Sequence, residues 1–347
     1  MAQRIDARRA RSVSRTGSLE RRTCVRTLRT LSCTTLTLAV AACSPTRDPV
    51  ADHPIVALRS SVADPIAAPP SSAADHAAAP PAVTPLPYDL AADLNARRQG
   101  VREELGPDVH TEVAHGVFLL VTPRRGALAG AVSVTNRALD AYFNGRFDTP
   151  PKKAISVLLY PDATGYRAWC LRHWNEPCHT PYGFYLPTER AIVMNVAPGI
   201  GTLTHELVHP LVEADFPEAP DWIDEGIASL FERFSLPRAG EIHGGKNWRH
   251  PRLINAWRSP KERDAAQLPA LFGMSDATFR GAREDLHYAM ARYLCQWLDA
   301  QGKLWPFYHR FRDDFATDPT GRSAFAAVVG MSPEEAHPAW QRWVRGL

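Results

Sequence analysis

His205, Glu206 and His209 spell H-E-x-x-H, and Glu225 follows 16 residues after the second histidine. Two histidines four apart on a helix project from one face, one turn apart, so both imidazoles can reach one metal ion. Whatever the chain folds into must place a helix here, with one side turned to chemistry and the other to a core. The neighbours allow it: Leu203, Leu207, Val208, Leu211 and Val212 recur at helical spacing. Pro198, Gly199 and Gly201 break the chain beforehand, and Thr202 is expected to cap the first turn. A second helix is expected from Trp222, with Ile223, Ile227, Leu230 and Phe231 as its apolar face and Asp221 as its cap. Pro210 works against a plain helix. It lacks an N–H and biases the preceding residue away from helical angles, so the metal helix is expected to kink or stop at His209.

His205 and His209 would supply neutral imidazole nitrogens and Glu225 a carboxylate, leaving a fourth position for water, as a catalytic zinc site requires. Two histidines and a carboxylate can also hold Fe(II). Glu206, directly after the first histidine, favours hydrolysis because it stands ready to take a proton from that water. Ser229, one turn after Glu225, is expected to brace the site.

These residues resemble the gluzincin metallopeptidases, in particular the peptidase-MA-like families of bacterial extracytoplasmic proteins, whose pattern is H-E-x-x-H, a short loop, then W-x-x-E-G-x-A. Here the pattern reads H-E-L-V-H and W-I-D-E-G-I-A. The likeness covers about residues 100–345 and is specific at the two metal motifs. Arg190 to Asn195 resembles the family's edge strand before the metal helix, which could pair with an extended peptide. Tyr288 to Leu294 resembles a later family helix. The resemblance implies a zincin-like fold, one catalytic zinc ion on His205, His209 and Glu225, Glu206 as general base, and a peptide or protein substrate. Tyr288 lies off the apolar stripe formed by Leu286, Met290, Tyr293, Leu294, Trp297 and Leu298. Its placement is similar to that of the oxyanion tyrosine in aminopeptidase-type gluzincins. His287, its neighbour, reads as structural.

The start of the chain bears on where such an enzyme would work. Arg21, Arg22, Arg26 and Arg29 precede a short apolar run from Leu31 to Ala42 and then Cys43. This is the order of a signal peptide, and the run is too short to span a bilayer. The Val-Ala-Ala-Cys ending resembles a bacterial lipoprotein signal, which implies a lipidated Cys43 anchoring the chain in the cell envelope. Residues 1–42 hold nine of the 40 basic residues and two of the 37 acidic ones, so the formal charge of +3 becomes −4 without them. Nothing in that balance favours nucleic-acid binding. Residues 43–87 read as a tether. Ten prolines and eleven alanines among residues 44–87 leave too little apolar surface to build a core.

Residues 88–347 are long enough for one domain with its own core. Strands are expected at 117–121, 155–160, 184–186 and 191–194, the last two joined as a hairpin by Pro187-Thr188-Glu189-Arg190. Helices are expected at 127–146, 166–174, about 251–258, 284–300, 304–315 and 332–345. Strands first and helices afterwards indicate α+β, a small mixed sheet followed by the metal helix and a mostly helical half, with the metal in the groove between them. Three of the six cysteines fall in this domain. Cys170 and Cys178 flank a loop-like stretch and could pair in an oxidising compartment; with His173 and His179 they could instead hold a structural zinc. Cys295 is left over as a buried thiol. The functional alternatives are a metal-binding envelope lipoprotein without peptidase activity and a purely structural lipoprotein.

Overall fold

The apolar runs Phe118–Thr122 and Ile155–Tyr160 are buried along their whole length and form the middle of a five-stranded sheet. The computed structural model describes residues 87–347 except residue 124. The expected signal segment, the lipidated Cys43 and all but the last residue of the tether lie outside the described residues.

In chain order the first half comprises α1 (Leu90–Leu105), β1 (His110–Ala114), β2 (Phe118–Thr122), α2 (Arg125–Tyr142), β3 (Ile155–Tyr160), α3 (Ala163–Trp174), β4 (Gly183–Leu186) and β5 (Ala191–Asn195). The strand order is β1-β2-β3-β5-β4. The inner pairs β2–β3 and β3–β5 are parallel, and the outer strands β1 and β4 are antiparallel to their neighbours. Parallel inner strands need cover on both faces, and this sheet has it. Leu119, Val121, Leu158, Phe184 and Val193 pack with residues of α1 and α3. Phe118, Leu120, Val157, Ile192 and Met194 pack on α2 and the helices that follow.

The second half comprises α4 (Gly201–Glu206), α5 (Val208–Asp215), α6 (Asp221–Leu230), the two-residue strands β6 (Phe234–Ser235) and β7 (His243–Gly244), then α7 (Arg249–Arg258), α8 (Asp276–Phe279), α9 (Glu284–Asp299), α10 (Leu304–Asp314), α11 (Arg322–Val329) and α12 (Pro333–Arg345). The fold is mixed α+β, a five-stranded mixed sheet leading into a helical half. Every residue of α6 is buried. A helix enclosed on all sides packs closely on its neighbours, and Gly226 is one point of close approach. A Cβ there would stand 2.9 Å from Cys295 Sγ and 3.2 Å from the Ala291 carbonyl of α9. Ser332 and Glu335 form the capping box expected at the start of α12.

Three local expectations need correction. Strand β5 is not an edge: β3 and β4 flank it, so its main-chain groups are taken and β4 is the outer strand. The metal helix does not stop at His209. It breaks at Leu207 between α4 and α5, and Pro210 sits in the first turn of α5, where a missing N–H is tolerated. The caps also differ. Ile200 precedes α4 without a side-chain cap. The Asp221 N–H donates to the distant Asp276 carboxylate at 2.8 Å, which frees the Asp221 side chain for another partner.

Candidate metal centre

Helices α4 and α5 carry His205 and His209, and α6 brings Glu225 across to them. One ligand atom from each of the three lies within 4.8 Å of the others. Glu225 Oε2 is 3.4 Å from His205 Nε2, and the two imidazole centroids are 5.0 Å apart. His205 and Glu225 are fully buried, Glu206 is 1% exposed and His209 5%. The cluster is therefore enclosed within the fold.

The partners of the buried atoms decide what the cluster fits. His205 Nε2, His209 Nε2, Glu225 Oε2 and Glu206 Oε1 are all buried without a hydrogen bond, as is His205 Nδ1. Buried polar atoms are normally paired, and leaving one unpaired costs about 1–3 kcal/mol. Four such atoms from one cluster match the donor set of a metal ion: two imidazole nitrogens, one carboxylate oxygen and a base beside them.

The surrounding charges favour a cation. His209 Nδ1 donates to Asp224 Oδ1 at 3.0 Å, and Glu206 Oε2 is 3.9 Å from His209 Nε2. Burial disfavours a charged His209, but Asp224, Glu225 and Glu206 raise its pKa to about 10. A potential that draws a proton to this ring also draws a cation to the same lone pair. Burial likewise raises the Glu206 pKa, with His205 and His209 opposing. Burial would raise Glu225 too, but the Arg280 charge, with His209 and His205, holds it well below the usual carboxylate range.

Two guanidiniums balance part of the negative charge. Arg280 donates from Nη2 to Glu225 Oε1 at 2.6 Å and from Nε to Asp221 Oδ2 at 2.7 Å, and its Nη1 meets the Tyr288 hydroxyl. Arg249 donates to both oxygens of Glu232, at 2.8 and 3.1 Å. Glu232 Oε1 stands 3.7 Å from His205 Nδ1. Both guanidiniums lie over the Tyr288 ring, Arg249 at 4.6 Å from its centroid and Arg280 at 5.5 Å.

The structure thus brings His205, Glu206, His209 and Glu225 together, with Tyr288 joined to Glu225 through Arg280. Tyr288 is fully buried, and burial pushes its pKa well above the ordinary value. His287 donates from Nδ1 to the Phe279 carbonyl at 3.0 Å. Ser229 does not brace Glu225 through its hydroxyl, which is buried without a hydrogen bond; its carbonyl accepts from Arg292 Nε at 3.1 Å. Cys170 and Cys178 form a disulfide, and Cys295 is a buried free thiol. His173 is occupied elsewhere, stacked on Trp169.

Sequence reasoning missed Asp224, Glu232, Arg249 and Arg280. Asp224 was within reach, as a second carboxylate next to the ligand. Glu232 lies just past the end of α6, outside its helical period. The arginines carried no signal.

Beside α5, a cleft of about 300 Å³ is lined by Lys152, Lys153, Tyr185, Pro210 and Glu213 among others. Its Pro210 and Glu213 follow His209 by one residue and by one turn. The Tyr185 hydroxyl donates to Glu213 Oε2 at 2.7 Å, tying the outer strand β4 to the metal helix.

No family model matches the chain, and no curated protein matches it.

Proposed function

We propose that this chain is a zinc metallopeptidase with a zincin-like fold, holding one zinc ion on His205, His209 and Glu225. The observation that carries the reading is that His205 Nε2, His209 Nε2, Glu225 Oε2 and Glu206 Oε1, four of the five unpaired buried atoms on these residues, belong to one cluster. A bound zinc ion would polarise the scissile carbonyl and make a water molecule more acidic. Glu206 takes the proton from the attacking water and passes it to the leaving amine. Asp224 holds the His209 ring so that Nε2 faces the cluster. Tyr288 stands on the Glu225 side as the donor to the developing oxyanion. Alternation along the antiparallel β4–β5 pair directs the main chain of Gly183 and Tyr185 to the outer edge, where an extended peptide could add as a strand. The adjoining cleft would take one of its side chains.

The reading places the enzyme in the cell envelope, tethered through a lipidated Cys43. The test is metal analysis of the purified chain, coupled to cleavage of a peptide library with and without a chelator. Bound zinc with chelator-sensitive cleavage is the expected result; a chain without zinc sinks the proposal.

The depth of the cluster favours a second reading, a metal-binding envelope protein that cuts no peptide. Zinc at one equivalent with no cleavage of any library member would support it.

A further inference from the structure

We infer that Arg280 is a positioning residue that fixes how Glu225 presents itself to the metal and where the Tyr288 phenol stands. The inference rests on the metal-site reading above. Arg280 lies 55 residues from Glu225 in the chain and reaches it from the turn after α8. Its three nitrogens serve three acceptors: Glu225 Oε1, Asp221 Oδ2 and the Tyr288 hydroxyl. A planar guanidinium can span such a set, whereas the compact ammonium of lysine cannot hold all three in fixed directions.

The consequence falls on Glu225. Oε1 accepts from Arg280, whereas Oε2 has no hydrogen bond and faces His205 Nε2 at 3.4 Å. Arg280 thereby favours Oε2 as the atom that Glu225 would offer to a metal. Arg280 also neutralises a fully buried carboxylate, which would otherwise be strongly destabilising. The segment that delivers it is fastened to α6, because Asp276 Oδ1 accepts the Asp221 N–H at 2.8 Å. Ser275 caps α8 on the other side. Arg280 and Glu225 are therefore held in register by contacts outside the cluster.

The test uses zinc alone as the probe, with Arg280→Met, Arg280→Lys and Tyr288→Phe beside the wild type. Zinc affinity is read by competition with a chromophoric chelator, and ligand geometry by the visible absorption of the cobalt-substituted proteins. Arg280→Met is expected to bind zinc about 10–100-fold more weakly, the range for losing an outer partner of a ligand, and to alter the cobalt spectrum. Arg280→Lys is expected to fall between the two, as partial rescue by charge without the fork. Tyr288→Phe is expected to leave zinc affinity near wild type. Wild-type affinity and an unchanged cobalt spectrum in Arg280→Met overturn the inference. If Arg280→Met does not fold, the same two results in Arg280→Lys overturn it. A wild-type chain that binds no zinc removes the metal-site reading and this inference together, so the two failures are distinct.

Discussion

His209 Nδ1 donates to Asp224 Oδ1 at 3.0 Å, across from α5 to α6 and next to the Glu225 ligand. One helix turn thus supplies both a ligand to the proposed metal and the carboxylate that orients a second ligand. The bond keeps a proton on Nδ1, so that a metal displacing the other proton meets the Nε2 lone pair on the side of His205 and Glu225.

Replacing Asp224 with Asn or Ala should therefore weaken zinc binding about 10–100-fold, as expected for an outer partner of a ligating histidine. Competition titration with a chelator measures it. Unchanged affinity in both variants would show that His209 is oriented without this bond.

Glu206 tests the chemistry apart from the metal. It is not among the three grouped ligands, and its Oε1 is buried without a hydrogen bond. Glu206→Gln should keep zinc at one equivalent and lose about 10²–10⁴ in kcat, the usual contribution of a general base. Retained turnover at full metal content would exclude Glu206 from the proton transfer.

What could be read from the sequence was local. The ligands of α4 and α5 announce themselves by a spacing of four, and the α6 ligand by a second short motif. The hairpin β4–β5 was visible because its strands are adjacent in the chain. That β5 is an inner strand was not, because its other neighbour, β3, pairs with it in parallel across the α3 crossover, and strand order leaves no local trace. Arg280 was invisible for the same reason: an arginine in a turn carries no period, and only the fold brings it to Glu225. Pro210 misled because its effect depends on position. In the first turn of a helix segment it costs little, and the break moved upstream to Leu207.

The disulfide gives a prediction about the outer strand. Cys170 and Cys178, eight residues apart, join the end of α3 to the segment that enters β4. Chain-entropy arguments put such a short loop at about 2–3 kcal/mol. Reduction, or Cys170→Ala with Cys178→Ala, should lower the thermal midpoint by that equivalent, read by calorimetry with zinc held constant. No shift would mean that α3 and β4 hold together without the bond.

Asp93 predicts an acid-side dependence. Burial opposes its charge, but hydrogen bonds from Tyr88 and Arg190 and the charges of Arg97 and Arg190 lower its pKa. A carboxylate with a depressed folded pKa contributes stability above its unfolded value, about 3.9, and loses it as pH falls through the folded value. Asp93→Asn should then be less stable at neutral pH by up to about 1 kcal/mol, since solvent screens such pairs. The difference should close as pH drops below about 4. Denaturant titrations across pH measure it, and a gap that persists in acid would assign the effect to packing.

Gly226 is a tightly packed position behind the site. It lies next to Glu225 on α6, and the nearest contacts of a Cβ there are Cys295 Sγ at 2.9 Å and the Ala291 carbonyl at 3.2 Å. One of these is a side chain and the other is backbone, which separates two outcomes. Gly226→Ala should cost about 1–3 kcal/mol by overpacking. Adding Cys295→Ala removes the sulfur but not the carbonyl, so the double variant should recover only part of the loss. Because α6 also carries Glu225 and Asp224, the displacement should weaken zinc binding in the single variant as well. Denaturant unfolding and chelator competition on both proteins read the two effects. Full recovery in the double variant would show that the sulfur alone sets the α6–α9 distance, and unchanged zinc affinity would show that the ligand is held independently of it.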